Sequence, residues 1–160
     1  LTVVLENVHD PHNIGAVMRS CDAVGISKIY LIVTDKRVWE KIELGLESSS
    51  GARKWVDVFV YDNCQKCFEH LRNEYDQIFG THLAQDSSSL YDIDFLKSTA
   101  LVFGNEHEGL SLEALGYLDG NFTIPQFGMV QSLNISVACA VSCYEALRQR
   151  KHAGKYERAE

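Results

Sequence analysis

Six short apolar runs punctuate the chain, and a helical stretch follows nearly every one of them. That alternation constrains the fold more than any other feature. The runs are Thr2–Leu5, Lys28–Val33, Val56–Tyr61, Gln77–Thr81, Thr99–Gly104 and Phe122–Ile124. Helices are predicted at Ile14–Val24, Arg37–Leu46, Cys64–Glu74, Ser111–Leu118 and Leu133–Lys151. Strands alternating with helices predict an α/β domain, its mostly parallel sheet covered by helices on both faces. The 160 residues suit one domain, large enough to bury roughly 68–70% of the surface of its unfolded chain. Ser48–Ser50 and Ser87–Ser89 read as short polar loops inside it. Ligands in such sheets bind beyond the carboxyl ends of the strands, so the loops that follow strands are where function is sought.

Composition narrows the classes. With 46% apolar and 23% charged residues, the chain matches ordinary globular domains. Its apolar runs are far shorter than the ~18 residues a membrane span needs. The opening Leu1–Leu5 lacks the basic flank of a signal peptide, and the absence of an initiator Met suggests that a short N-terminal extension precedes it. The odd set of 5 cysteines argues for a reduced, cytoplasmic protein. Cys64 and Cys67 have CxxC spacing but no second Cys/His pair at zinc-finger distance, so they read as small residues at a helix start, and no metal is expected. The net charge of −7 disfavours nucleic acid when taken globally. Local clusters run the other way. Arg53 and Lys54 form one, and Arg148, Arg150, Lys151, Lys155 and Arg158 form another against Glu157 alone. Either cluster is a candidate RNA contact, or simply a solvated helix end.

Three strand-end segments carry unusual residues. In Glu6–Arg19 a strand leads through Asp10-Pro11 into a helix. Asn13 is the expected N-cap, and Asn13 and Arg19 are expected to face one cleft. In Leu101–Ser111 a buried strand enters the glycine-bracketed acidic turn Gly104-Asn105-Glu106-His107-Glu108-Gly109, with Ser111 capping the next helix. This turn is neither a Walker loop nor a dinucleotide fingerprint. In Ile124–Ala138 a long loop leads to a helix that Ser132 is expected to cap. Ser132 and Asn134 stand at its positive end, and small residues succeed them (Ser136, Ala138, Cys139, Ala140, Ser142, Cys143). Taken singly, each segment also fits a bland reading: a cap, surface acids, a core helix.

Taken together, their order and spacing resemble the three motifs of the SpoU family of RNA methyltransferases, in the SPOUT class. The matches are Asn13-x-Gly15-x-x-x-Arg19, Gly104-x-Glu106-x-x-Gly109, and Ile124-Pro125…Gly128…Ser132-Leu133-Asn134-x-Ser136. The resemblance spans essentially residues 1–160. The segments Ser49-Ser50-Gly51-Ala52-Arg53-Lys54-Trp55-Val56 and Tyr144-Glu145…Lys155-Tyr156 are similar to the TrmH branch, which methylates the ribose of a D-loop guanosine in tRNA.

The resemblance implies a C-terminal deep trefoil knot, although knots are rare among folds generally. It implies S-adenosylmethionine bound by Thr81, His82 and Leu83, by Phe103, Gly104 and Gly109, and by Ile124, Gln126 and Leu133. The catalytic set it implies is Arg19, Asn13, Glu106, Ser132 and Asn134. The reaction is methyl transfer to a ribose 2′-oxygen, which must be aligned with the methyl carbon and relieved of its proton. Arginine side chains hold their proton too tightly to act as a free base. Arg19 is therefore expected to work through an RNA phosphate, or to position the hydroxyl and stabilise developing charge. A homodimer is implied, with Arg19 near the partner's cofactor. Ser136–Tyr144 is a candidate part of the interface, or packs against the sheet of its own chain. The alternatives are an enzyme of the same family acting on rRNA or another tRNA site, a catalytically silent RNA-binding homologue, and a flavodoxin-type nucleotide-binding protein.

Overall fold

β1 (Thr2–Glu6) is buried along its whole length, which is why its sequence shows no polar alternation. A computed structural model describes residues 1–48, 51, 55–130 and 132–155. After β1 come α1 (Pro11–Ala23), β2 (Lys28–Ile32), a 3-10 turn at Lys36–Val38, α2 (Trp39–Ser48) and β3 (Asp57–Tyr61). Then follow α3 (Cys64–Glu74), β4 (Gln77–Thr81), β5 (Ser88–Ser89), a second 3-10 turn at Leu90–Asp92 and β6 (Thr99–Phe103). The chain closes with α4 (Leu112–Leu115), β7 (Gly120–Thr123) and α5 (Ile135–His152).

The seven strands form one sheet in the order β3-β2-β1-β6-β4-β7-β5. Every pairing is parallel, so all strands deliver their C-terminal loops to one rim. β1 and β6 lie at its centre, fully buried. One core packs α1, α2 and α5 on the first face through Ile14, Met18, Ile42 and Cys143. The other packs α3 and α4 on the opposite face through Phe68, Leu71 and Ala114. Among the described residues, no helix is long and apolar enough to cross a membrane.

Several expectations change. Ser88-Ser89, read as loop, pairs with Phe122 and Thr123 as an edge strand, because two residues of backbone pairing need no apolar pattern. The helix expected at Ser111–Leu118 stops after Leu115. The cysteines of the CxxC pair do stand at a helix start. Cys21, Cys139 and Cys143, scattered in sequence, are buried with their sulfurs within 4.8 Å of one another, where α1 meets α5. Of the small residues of α5, Cys139 and Cys143 thus serve close helix packing within the chain.

The connection from β4 to β6 is bound to α5. Leu90, Ile93 and Phe95 share the core with Cys139, Cys143 and Ala146. The Gln149 amide joins them twice, accepting from Phe95 N at 2.9 Å and donating to Ile93 O at 2.9 Å.

Candidate active site

The site is assembled from loops at the C-terminal ends of β1, β6, β4 and β7. Glu6 ends β1 as a carboxylate that is only 3% exposed. It accepts from Ser111 N at 2.7 Å and Ser111 Oγ at 2.6 Å, and the Cys64 thiol donates to it at 3.2 Å. Burial, and next the Glu6 carboxylate, push the Cys64 thiol up to about 12, so it remains a neutral donor. Ser111 also caps α4 by accepting from Ala114 N. One buried acid therefore ties the ends of β1 and of the acidic turn to α3.

The acidic turn is held from within and from outside. Asn105 and Gly109 exchange backbone hydrogen bonds of 3.1 and 2.9 Å. The Asn105 side-chain oxygen accepts from His107 N and Glu108 N, while its amide donates to Asn7 O at 2.8 Å. Gly109 has φ +70°, the left-handed region that favours glycine. A Cβ on Gly104 would stand 2.3 Å from the Gly109 carbonyl carbon, so no larger residue fits this crossing.

Glu106 faces the β1–α1 loop. It accepts from Asp10 N at 2.9 Å, His9 N at 3.3 Å and the Asn13 amide at 3.4 Å, with His9 Nδ1 at 3.7 Å. Asn13 is buried and reaches Glu106 because it is not the cap. Asp10 caps α1, accepting from His12 N at 2.9 Å, and Pro11, which has no N–H to satisfy, takes the first turn. The expected N-cap at Asn13 is thereby corrected.

Arg19 is not brought to this group. It lies on an exposed part of α1, and among the described residues it has no ion pair. Six residues at about 100° each leave Asn13 and Arg19 about 120° apart around the helix and about 9 Å apart along it. The expectation that both face one cleft of the same chain fails on that geometry.

The third segment is open. Residues 125–130 are exposed, Phe127 and Met129 almost fully. Asn134, rather than Ser132, caps α5, its oxygen accepting from Ser136 N at 2.9 Å and Ser136 Oγ at 2.7 Å. Ser132 is left free of capping and lines the site instead.

Two adjoining clefts result. One, of about 380 Å3, is lined by Thr81, His82, Leu83, Ile124, Gln126 and Leu133 among others. The second, of about 420 Å3, is lined by Phe103, Gly104, Glu106, Gly109, Ser132 and Asn134 among others. They share Thr81, Ser132, Leu133 and Ala138 as a common wall. Every residue expected to hold the cofactor lines one or the other. So do Glu106, Ser132 and Asn134, whereas Arg19 lines neither. Sequence reasoning missed Glu6, Asn105 and His9. The one sequence signal for Glu6 is an acid at the end of an otherwise apolar strand.

Residues 1–144 match the SpoU rRNA Methylase family. This chain belongs to that family. Among similar proteins, a tRNA (guanosine(18)-2′-O)-methyltransferase of Thermus thermophilus is 43% identical over 99% of this chain and 79% of its own length. One of the same name from Escherichia coli is 38% identical over 99% of this chain and 67% of its own. The crystal structure of the Aquifex aeolicus TrmH/SpoU tRNA modifying enzyme superposes with a TM-score of 0.87 at 37% identity, covering 98% of this chain and 78% of that one. The SpoU methyltransferase AviRb of Streptomyces viridochromogenes, in complex with the cofactor AdoMet, gives 0.83 at 26% identity, covering 95% and 61%.

The candidate RNA contacts of this SpoU chain differ in how far they are committed. Arg148 pairs with the buried Glu145. Arg150 donates to Phe95 O at 2.8 Å and Lys97 O at 3.3 Å, fastening α5 to the β4–β6 connection. Lys151 is exposed. Arg53 and Lys54 lie outside the described residues.

Proposed function

We propose that this SpoU-family chain transfers a methyl group from S-adenosylmethionine to a ribose 2′-hydroxyl of RNA, the D-loop guanosine of tRNA being the substrate. The observation that carries the reading is convergence: the loops that follow β4, β6 and β7 meet on two adjoining clefts at the C-terminal rim of a parallel sheet, and Glu106 ties the β1–α1 segment to them. Each cleft falls within the ~300–1,000 Å3 typical of ligand sites. The lining suits the cofactor: Ile124 and Leu133 offer apolar walls, Thr81 and Ser132 offer hydroxyls, and the Gly104–Gly109 crossing brings bare backbone to the surface.

S-adenosylmethionine, when bound, supplies a methyl group on a sulfonium that departs as a neutral thioether, so no general acid is needed. Glu106 orders the β1–α1 loop through Asp10 N and Asn13. Ser132 and Asn134 fix the open end of the second cleft. Arg19 holds the 2′-hydroxyl or its neighbouring phosphate and stabilises charge developing on the oxygen.

Since Arg19 lies away from its own clefts, it serves the clefts of a second copy, which makes the working unit a homodimer. The exposed Val137 and Tyr144 of α5, the helix packed beside α1, support an interface there. The binding of residues 90–97 to α5 supports the C-terminal trefoil knot, α5 passing beneath the β4–β6 connection. The reduced buried thiols fit a cytoplasmic setting.

The test is incubation with labelled S-adenosylmethionine and undermodified tRNA, followed by digestion and mapping of the labelled nucleoside. Label as 2′-O-methylguanosine in the D-loop is the expected result. Label confined to rRNA replaces the substrate, and no label on any RNA overturns the reading. Arg19→Ala is expected to lower transfer by roughly 10²–10⁴-fold with cofactor affinity kept.

A further inference from the structure

A third concavity, of about 500 Å3, opens where β2 and β3 end, outside both clefts. The rings of Trp39 and Tyr61 and the side chains of Lys36, Lys66 and Asp62 line it. We propose that this concavity binds a nucleotide of the RNA substrate flanking the target, a phosphate between Lys36 and Lys66 and a base against Trp39 and Tyr61. The proposal rests on the RNA methyltransferase reading and adds a substrate contact to it.

Charge favours a phosphate here. The chain carries −7 overall, yet two lysines from different elements converge on this hollow. Among the described residues Lys36 has no ion pair. Lys66 meets only Asp62, at 4.0 Å, with both side chains largely exposed, a pair too weak and too screened to neutralise the site.

Aromatic surface favours a base. Trp39 is half-buried and packed against the core, so its ring is held in place before a ligand arrives. Fixed rings beside cations are how proteins grip RNA bases without reading their sequence.

Position favours the same RNA that reaches the clefts. All strands are parallel, so this concavity opens on the same rim as the methyl-transfer clefts. Two and three strand spacings separate the ends of β2 and β3 from that of β6, whose loop lines the nearer cleft, about 10–15 Å at ~4.8 Å per strand. A few nucleotides of RNA span that distance. Val33 and Val60 complete a largely apolar floor suited to a base, and the charged groups Lys36, Asp62 and Lys66 interrupt it, which favours RNA over a protein partner that needs a continuous apolar face.

The test uses the full chain and compares wild type with the double variant Lys36→Glu, Lys66→Glu. Both positions are exposed, so folding should be unaffected. Affinity for a tRNA transcript is measured by fluorescence anisotropy across a salt series, beside methyl-transfer kinetics and cofactor binding. The expected result is a tRNA Kd and KM raised tenfold or more, with a salt dependence shallower by about 1–2 units of slope. kcat at saturating tRNA and cofactor affinity should be unchanged. Trp39→Leu should weaken tRNA binding and Trp39→Phe should largely restore it, which separates stacking from a general loss of fold. Asp62→Asn should tighten binding. Variants that match wild type in Kd and salt slope, while wild type methylates RNA, overturn this inference alone. A wild type that neither binds nor methylates RNA overturns the functional reading, and this inference with it.

Discussion

Two loops form the walls of the same site and are built in opposite ways. The acidic turn, Gly104–Gly109, is closed by its own backbone, by Asn105 and by the neighbouring β1–α1 loop. In the connection after β7, the described residues 125–130, 132 and 133 make no hydrogen bond to other described residues, and Phe127, Met129 and Val130 are exposed. One wall is set before any ligand binds, since its polar groups are satisfied within the protein. The other has its donors and apolar side chains still to satisfy. A site of this kind can hold a cofactor on the fixed wall while the open wall takes its final contacts from cofactor, RNA or a second subunit.

The largest test of that contrast is Gly104→Ala. Its Cβ would meet backbone at 2.3 Å, and backbone cannot rotate away as a side chain can. A loss of about 3 kcal/mol or more in a urea melt is expected, with cofactor binding abolished. Near wild-type behaviour would mean that the turn yields, and the contrast between the loops would collapse.

Glu106→Ala comes next. It leaves Asp10 N and the Asn13 amide without their acceptor, at roughly 1–3 kcal/mol. Glu106→Gln keeps an acceptor oxygen and should recover much of that stability. Transfer by the Gln variant separates the ordering role from the charge: activity near wild type means that ordering suffices.

Alkaline pH probes the support beneath the fixed wall. Burial raises the Cys64 and Cys67 thiols from 9.0 to about 12. Between these values the unfolded chain loses protons that the folded chain keeps. Stability is therefore fully present below about pH 9 and is lost as pH rises toward about 12. The slope is at most about 1.4 kcal/mol per pH unit for each thiol. Urea melts at several alkaline pH values should show this decline, and Cys67→Ala should make it shallower.

The smallest effect on stability is expected from Phe127→Ser, within about 0.5 kcal/mol, because the ring is 99% exposed. Its consequence should appear in sedimentation or in RNA affinity. If both stay unchanged, the exposure of the open wall serves neither contact.

Local pattern made much of this legible. The apolar runs located six of the seven strands, most plainly β1, β2 and β6, which are buried almost throughout and so carry near-continuous apolar sequence. Two-residue β5 escaped because its pairing is carried by backbone alone. Glycine spacing marked the acidic turn, since a Cβ on Gly104 would strike the Gly109 backbone and Gly109 itself holds φ at +70°. Caps proved harder to place: Asp10, Asn13, Ser132 and Asn134 are all of capping type, and at α1 the choice turned on Asn13 having Glu106 to reach.

The sequence by itself determined the α/β class, the three segments and their family, because periodicity and spacing are local properties of a chain. Only the tertiary structure decided that Glu6 is the hidden tie between β1, the acidic turn and α3, and that Arg148 and Arg150 are engaged within the chain. It also turned Arg19 away from Asn13. Which partner a polar side chain finds depends on which strands lie side by side, and β1 and β6, about a hundred residues apart, are neighbours only in the folded sheet.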